Sequence, residues 1–250
     1  RSMSGRVQGF GGRTLSNHKK TAKYINSPES EVYNKSKILY GLFESKKSIA
    51  REDACYIVEG YTDVIQLHQS GITNVVSSSG TALTSDQIRL IKRLTSNIIL
   101  LFDSDPAGIR AALRGVDLIL EQGINVRICT FPSGEDPDSF ARNNSEHVIK
   151  KFLEDNTKDF IQFKARLLSD DSKNDPVKKT QIVNEIIKSI SKISDVIKQE
   201  YYLKSCSDIM GISEQAVFTS FAQHNNNSRR NSSRRASLVK VPKKDLDLNK

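Results

Sequence analysis

Apolar and polar positions alternate along residues 55–131 in the order that builds a parallel sheet. Short apolar runs predict four buried strands, at residues 55–58, 72–76, 97–102 and 126–131. Stretches with apolar residues three or four apart predict helices between them, over residues 64–70, 85–94 and 106–122. This alternating order predicts an α/β fold, a parallel sheet with helices on both faces.

The sequence after the last predicted strand has the helical period. Two long amphipathic stretches predict helices over 146–168 and 177–204. A third helix, capped by Ser213, is expected to end near Gln223. Together they predict a helical subdomain, residues 141–224. Its apolar stripes are expected to form its core, with a groove for a partner helix as the alternative.

Charge divides the chain into three parts, and the net charge is +9. Residues 1–50 carry ten Lys and Arg against three Asp and Glu, and residues 225–250 carry eight against two. Residues 51–224 carry twenty against twenty-four. A basic front fits a polyanionic partner, and an acidic centre fits a cation. The tail is polar and of low complexity, which predicts a disordered basic linker, or alternatively an arm that touches nucleic acid.

Composition excludes several classes of protein. No apolar run approaches the roughly 20 residues of a membrane span, and no apolar stretch near the first residue has the form of a signal peptide. Cys55, Cys129 and Cys206 lie far apart without a C-x-x-C pair, which argues against a disulfide framework and a zinc cluster. The first residues read as a strand already under way, which favours a fragment of a longer protein.

Acidic residues gather where the predicted strands end. The acids that follow three of the four strands are Glu59, Asp63, Asp103, Asp105, Glu135, Asp136 and Asp138. Ligands of open parallel sheets bind beyond the carboxyl ends of the strands, so these side chains are expected to converge. Carboxylates about 4–6 Å apart repel one another strongly, and a hard divalent cation such as Mg²⁺ offsets that repulsion.

Two other interpretations of these acids stay open. The acids could cap the helices that follow the strands and face water. One of them could instead be phosphorylated in a pocket that also binds Mg²⁺. Such a pocket normally needs a lysine near a strand end, and none of the four predicted strands is followed by one.

The same residues resemble a known family. The segments similar to the acidic motifs of the Toprim domain, the metal-binding unit of bacterial primases and of topoisomerases, are EGYTDV (59–64), DSDPAG (103–108) and GEDPD (134–138). The segments that resemble blocks preceding this domain in bacterial DnaG-type DNA primases are GRVQGFGGR (5–13), 23–29 and 33–42. Residues 79–83 are similar to the loop after the second Toprim strand.

The resemblance implies an enzyme, a nucleotidyltransferase that makes short RNA primers on single-stranded DNA during replication. It implies one or two Mg²⁺ or Mn²⁺ ions. The implied catalytic metal ligands are Glu59, Asp103 and Asp105, with Asp63, Asp136 and Asp138 as supporting acids or ligands of a second ion. Arg13, Lys23 and Lys35 would hold nucleotide phosphates or the template–primer strand.

The resemblance also implies an organisation into regions. They are the C-terminal part of the basic N-terminal subdomain of a primase core (1–50), the Toprim domain (51–140), the helical subdomain (141–224) and the linker (225–250). The core is expected to begin before Gly5, so the fragment alone is expected to be weakly active. A zinc domain and a helicase-binding domain are expected outside this chain, before and after it.

The implied partners are single-stranded DNA, ribonucleoside triphosphates and, through the C-terminal domain outside the chain, the replicative helicase. The implied protein is a monomer in the bacterial cytoplasm, at the replication fork, without a membrane partner. Two other functions stay open. Another Toprim enzyme of the nuclease kind would cut DNA in Mg²⁺ without nucleotides, and a non-catalytic module would bind single strands without metal and incorporate nothing.

Overall fold

The structure is a computed structural model that describes residues 1–13, 24–79, 82–103, 106–169 and 175–238. The chain divides into two compact units, Arg1–Phe163 and Lys164–Lys250. Within the described residues, no helix combines the length and the apolar character needed to cross a lipid bilayer.

The first unit contains the strands and most of the shorter helices. Its strands are β1 (Gly11–Arg13), β2 (Tyr24–Asn26), β3 (Cys55–Val58), β4 (Val75–Ser77), β5 (Asn97–Phe102), β6 (Asn125–Thr130) and β7 (Lys158–Asp159). Its helices are α1 (Leu42–Glu52), α2 (Tyr61–Gln69), α3 (Ser85–Lys92), α4 (Pro106–Glu121), α5 (Pro137–Asn143), α6 (Glu146–Asn156) and α7 (Phe160–Ser169), which continues into the second unit. A short 3-10 turn spans Lys35–Lys37.

The main sheet has the strand order β4-β3-β5-β6-β7. The strands β4, β3, β5 and β6 run parallel, and helices cover both faces, as the α/β pattern predicts. β3 and β5 occupy the predicted residues, and five of the six residues of β5 are buried. Burial on both faces is the reason why these central strands read as continuous apolar runs.

The segment before α1 is joined to this sheet by backbone hydrogen bonds. Tyr40 and Ser77 exchange N–H···O bonds of 2.9 and 3.1 Å, so the chain leading into α1 extends the β4 edge of the sheet. β1 and β2 form a separate antiparallel pair in which Gly11 lies opposite Asn26. The basic front of the sequence is therefore anchored at the β4 side.

The helix predicted over 146–168 is wrong, because the chain breaks at Thr157. α6 ends at Asn156, and the two residues of β7 pair antiparallel with Arg127 and Ile128 of β6. Strand β6 would otherwise be the edge of the sheet, and its unpaired backbone groups take a partner from this segment. α5 was not predicted either, and it begins with Pro137 after a cap formed by Asp136.

The second unit is helical. Its further helices are α8 (Pro176–Ile190), α9 (Val196–Met210) and α10 (Glu214–Leu238). The predicted apolar stripe is confirmed as core where its buried members lie, at Ile182, Ile186, Ile187, Ile190 and Ile193. It is wrong for its last members, Val196 and Ile197, which are exposed. The single helix predicted over 177–204 is wrong, because Asp195 starts a new one. Its carboxylate accepts the backbone N–H groups of Ile197 and Lys198 at 2.9 and 3.1 Å.

α10 extends beyond the predicted end near Gln223. The helix continues to Leu238, through a stretch that the sequence analysis expects to be a disordered linker. No glycine or proline lies between residues 214 and 238, so no residue in this stretch breaks the helix. Residues 239–250 lie outside the described part of the chain, and the division into four regions stays a prediction.

Gly71 ends α2 with a backbone conformation that side chains resist. Its φ is +87°, and a Cβ there would lie 2.4 Å from Cδ of Glu146, whose carboxylate pairs with Lys150 at 2.7 Å. Gly134 also has a positive φ, +85°, but nothing lies within 4 Å of the position that its Cβ would take. Both glycines therefore have the strained backbone conformation, but only at Gly71 would a side chain also collide with a neighbour.

Replacing Gly71 by Ala is expected to lower the free energy of unfolding more than replacing Gly134 by Ala. Both changes cost the roughly 1–2 kcal/mol of placing a residue with a Cβ in the left-handed backbone conformation. Only the change at Gly71 must also displace Glu146. In a Glu146→Ala background, the two glycine variants are expected to cost the same. Urea unfolding of the single and double variants checks this, and equal costs in the wild-type background would contradict it.

Candidate functional site

The carboxyl ends of two neighbouring strands carry the first acids of the site. Glu59 directly follows β3, and Asp103 directly follows β5. Because β3 and β5 are parallel neighbours, with Ile57 opposite Leu100, both acids lie at the same edge of the sheet. The Glu59 side chain is exposed and the Asp103 side chain is partly buried. The hydroxyl of Ser77 donates to the Glu59 carbonyl at 2.7 Å and ties this strand end to β4.

The pKa of Asp63 shows the electrostatic effect of the neighbouring carboxylates. Asp63 lies in the first turn of α2, and its Oδ2 accepts the backbone N–H of Gly60 at 2.9 Å. The pKa of Asp63 is raised to about 7, mainly by burial and further by the charges of Asp136, Asp103 and Asp138, although the bond from Gly60 acts to lower it. The acids that follow β5 and β6 therefore act electrostatically on the acid that follows β3.

Asp136 and Asp138 have structural partners of their own. Oδ1 of Asp136 accepts the backbone N–H of Ser139 at 2.7 Å and caps α5. Burial works to raise the pKa of Asp136, but its hydrogen bonds with Ser139 outweigh burial and lower it. Both oxygens of Asp138 accept from Nη2 of Arg142 at 3.0 Å. Helix capping thus accounts for Asp63 and Asp136 in part. A cap needs only one carboxylate oxygen, so it does not exclude ion binding.

The acids have the right chemistry for a hard divalent cation. Carboxylate oxygens are the ligands that Mg²⁺ takes in proteins, and mutual repulsion makes such a cluster favour a cation. In the described ranges, no three Asp, Glu, His or Cys side chains are grouped closely enough to hold an ion. Asp105 lies outside the described residues. The ligand set expected from the sequence therefore stays a prediction.

The basic residues of the predicted site are only partly described. Lys23 lies outside the described residues, and for Arg13 the description covers only the backbone in β1. Lys35 is partly buried and begins the 3-10 turn. Its side chain lines a pocket of about 590 Å³, together with Gln8, Tyr33, Tyr40 and Tyr61. The pocket combines aromatic walls with a lysine.

A group of tyrosines joins this pocket to the acids, and the sequence analysis gave it no role. Tyr61 follows Gly60, and its hydroxyl donates to Oδ1 of Asn26 at 2.6 Å. The Tyr40 ring meets the Tyr61 ring edge-on, with centroids 4.7 Å apart. Burial raises the pKa of Tyr33 to about 12, and the neighbouring Tyr61 hydroxyl adds to the effect. The signal available in the sequence was the position of Tyr61 inside the motif EGYTDV.

Close backbone approach explains one glycine of the first block. A Cβ on Gly11 would lie 2.7 Å from Cε2 of Tyr61. Any side chain at this position would push β1 away from Tyr61. The glycine therefore lets β1 rest directly on the start of α2.

Three family models match successive parts of the chain. The DNA primase catalytic core, N-terminal domain, matches residues 1–46, and a Toprim-like model matches residues 56–141. The DnaB-helicase binding domain of primase matches residues 165–215. The last match lies inside the chain, whereas the sequence analysis places the helicase-binding domain after it.

Relatives and solved structures agree with these matches. The DNA primase of Clostridium acetobutylicum is 42% identical over 218 residues, which cover 86% of this chain and 35% of that protein. A DNA primase domain from Pseudomonas aeruginosa has a TM-score of 0.78 and 31% identity, over 89% of this chain and 70% of that one. A DnaG primase catalytic domain bound to ssDNA has a TM-score of 0.75 and 32% identity, over 86% and 69%. The chain spans about a third of the length of the curated relatives that it matches.

The pKa of Asp63 makes the stability of the metal-free protein depend on pH. The folded-state pKa of about 7 lies above the unfolded value near 4. The contribution of Asp63 is therefore fully present below pH 4 and is lost as the pH rises through 7. Asp63→Asn keeps an oxygen for the Gly60 N–H and removes the charge. We expect it to raise the free energy of unfolding at pH 8 by roughly 1–3 kcal/mol, with little change near pH 4.5.

Urea unfolding in a chelator at both pH values measures this difference. Asp136→Asn is the matched control of opposite sign, because the pKa of Asp136 is lowered and its charge stabilises the fold at high pH. That variant is expected to lose stability at pH 8. An equal gain for Asp63→Asn at both pH values would show that its charge is not the cause.

Proposed function

The chain belongs to the bacterial DnaG-type DNA primase family, and we propose that it carries the metal-binding and strand-binding part of a site that synthesises short RNA primers on single-stranded DNA. The reaction is a nucleotidyl transfer. The attacking group is a 3′-hydroxyl, the bond formed joins it to the α-phosphorus of a ribonucleoside triphosphate, and pyrophosphate leaves. The relatives named as DNA primases are longer, and this chain spans about a third of their length.

The observation that carries the proposal is the gathering of acids at one edge of the sheet. Glu59 and Asp103 end neighbouring parallel strands, and the repulsion of neighbouring acids contributes to a pKa of about 7 at Asp63. A site of this charge is unfavourable without a cation. A nucleoside triphosphate brings such cations with it, because Mg²⁺ is commonly held by one or two carboxylates together with phosphate oxygens.

Each group of residues has a separate part in this proposal. Glu59, Asp103 and Asp105 would hold one divalent ion, and Asp63, with Asp136 and Asp138, would support it or hold a second. A bound ion supplies charge neutralisation for the triphosphate and a lower pKa for the attacking hydroxyl. Asp63 retains its bond to the Gly60 N–H and so keeps the turn between β3 and α2 in place.

The basic front would hold the nucleic acid. Residues 1–50 carry a large excess of Lys and Arg. Lys35 lies at a pocket with tyrosine walls, which suits contacts to phosphates and to base faces. A solved relative is described as bound to ssDNA, and this likeness supports the same partner for this chain. Arg13 and Lys23 are proposed to act with Lys35.

Asp103→Asn tests the assignment with little change in shape. In the full-length protein, we expect it to lower primer synthesis by more than the roughly 10–100-fold that losing a partner of a metal ligand costs. The measurement is incorporation of labelled ribonucleotides on single-stranded DNA with Mn²⁺. Asp155→Asn is the control, because this exposed acid lies in α6 and belongs to none of the acidic motifs.

The competing activity is read from the same reactions. Unchanged synthesis by Asp103→Asn would overturn the site assignment. DNA cut in the presence of metal and without nucleotides would favour a nuclease of the Toprim kind. Intact DNA and no product from the wild-type protein would favour a module that only binds single strands.

The helicase partner rests on the third family model. We propose that the second unit, which contains residues 165–215, contacts the replicative helicase. Several apolar side chains of α9 are exposed, with Val196, Ile197 and Tyr201 each about 70% accessible to solvent. Such side chains are the usual material of a protein contact.

Charged substitutions on α9 test this contact. Ile197→Asp with Tyr201→Asp is expected to weaken helicase binding by at least about tenfold, because burying an unpaired charge is costly. Val177→Asp, at an exposed position of α8, is the control. The measurement is the affinity of the labelled full-length protein for the purified helicase. Unchanged affinity would place the contact elsewhere.

A further inference from the structure

The 3-10 turn that carries Lys35 is held by side chains from α3. Nε2 of Gln87 donates to the carbonyls of Lys35 and Ile38 at 3.0 and 2.8 Å. The hydroxyl of Thr84 donates to the carbonyl of Ser36 at 2.5 Å. Three carbonyl acceptors in and next to the turn, those of Lys35, Ser36 and Ile38, are therefore satisfied by two residues that lie about 50 positions away in the sequence.

Gln87 uses both N–H groups and the oxygen of its amide in these contacts. It is fully buried, its two N–H groups serve the turn, and its Oε1 accepts the backbone N–H of Thr84 at 3.0 Å. In return, the Thr84 hydroxyl accepts the backbone N–H of Gln87 at 3.2 Å. The pair forms a capping box for α3, and the same pair grips the turn.

The backbone of Lys35 is fixed from the other side as well. Its N–H donates to Oε1 of Glu29 at 3.1 Å. The backbone of Lys35 is thus held between Glu29 and Gln87, and the residue lines the pocket. A lysine stem is flexible and loses rotamer freedom on binding, so a fixed backbone lowers the cost of placing the ammonium at a phosphate.

We infer that Gln87 is a positioning residue for nucleic-acid binding, which acts by holding the turn that presents Lys35. Gln87 and Thr84, which form the capping box of α3, together hold the turn through hydrogen bonds. This inference rests on the proposed role of Lys35 in binding the strand. It adds two residues, on a different helix, that none of the acidic or basic motifs includes.

A residue that only stabilises the fold would give a different result. Loss of Gln87 leaves two carbonyls and one N–H without their buried partner, so any substitution costs stability. A functional role of Gln87 is distinguished from a purely structural one by its energetic coupling to Lys35 in binding. If Gln87 acts through Lys35, its loss must matter only while Lys35 is present.

The test is a double-mutant cycle in the full-length protein. The variants are Lys35→Ala, Gln87→Met, which is close in size and apolar, and the two combined. The readout is the affinity for a fluorescent single-stranded oligonucleotide, measured over a range of salt concentrations. Asn74→Leu is the matched control, because Asn74 is buried in the same unit and its amide donates to the Ala54 carbonyl at 2.9 Å, before β4.

We expect Lys35→Ala to weaken binding about 3- to 10-fold and to reduce the salt slope by about one. Gln87→Met is expected to do the same in the wild-type background and to have no further effect in the Lys35→Ala background. Asn74→Leu is expected to lower the unfolding midpoint without changing the salt slope. Thr84→Ser is expected to keep binding, and Thr84→Val to weaken it.

Each contrary outcome has a separate meaning. Equal weakening by Gln87→Met with and without Lys35 would overturn the inference and leave the role of Lys35 intact. Unchanged binding by Gln87→Met would do the same. If Lys35→Ala leaves binding unchanged, Lys35 does not contact the nucleic acid. That result would overturn both the inference and the proposed contact. If Gln87→Met fails to fold, Thr84→Val against Thr84→Ser, with and without Lys35, decides the same question.

Discussion

Parallel pairing of β3 with β5 forces carboxylates that repel one another to one edge of the sheet. Glu59 and Asp103 have no choice of position, because the strands that they follow are buried and hydrogen-bonded to each other. The folded structure holds the acids at this edge despite their repulsion. Burial and like charge together hold the pKa of Asp63 near neutrality, whereas an exposed aspartate titrates near pH 4.

The surrounding structure uses the same acids to build itself. Asp63 begins α2 through the Gly60 N–H, and Asp136 begins α5 through the Ser139 N–H. One residue can therefore place a helix and contribute to a ligand-binding edge. The N-terminal end of each helix is also positive, which stabilises the carboxylates that stand beside it. Helix capping by Asp63 and Asp136 is therefore compatible with the proposed role of these acids as ion ligands.

The basic front reaches the acidic edge through uncharged contacts. The Tyr61 hydroxyl bonds to Asn26 of β2, Gly11 leaves room for the Tyr61 ring, and Gln87 grips the turn of Lys35. Aromatic and amide groups suit this task, because they fix geometry without adding to or cancelling either charge. The backbone of Lys35 is held by the Gln87 amide on one side and by the Glu29 carboxylate on the other.

Local pattern was enough to predict the sheet. The run of apolar residues over 97–102 became β5 without a shift, and the acids after it lie at the strand end, because a strand of this kind is set by its own residues. The position of Glu59 and Asp103 at the same edge of the sheet followed from the parallel order of the strands. The membership of the six acids in a metal site remains a prediction, and Asp105 lies outside the described residues.

The tertiary structure alone decided which distant groups meet. Thr157 breaks a helical pattern because the edge of β6 takes the next two residues as a strand. α8 ends at Ile190, and Asp195 then caps a new helix. Gln87 and Lys35 are 52 positions apart, and no local signal pairs them. The sequence by itself determined the strands, the helical periods and the division of charge, because these depend on neighbours along the chain. Hydrogen-bond partners were decided by folding, because a buried polar group takes the partner that packing brings to it.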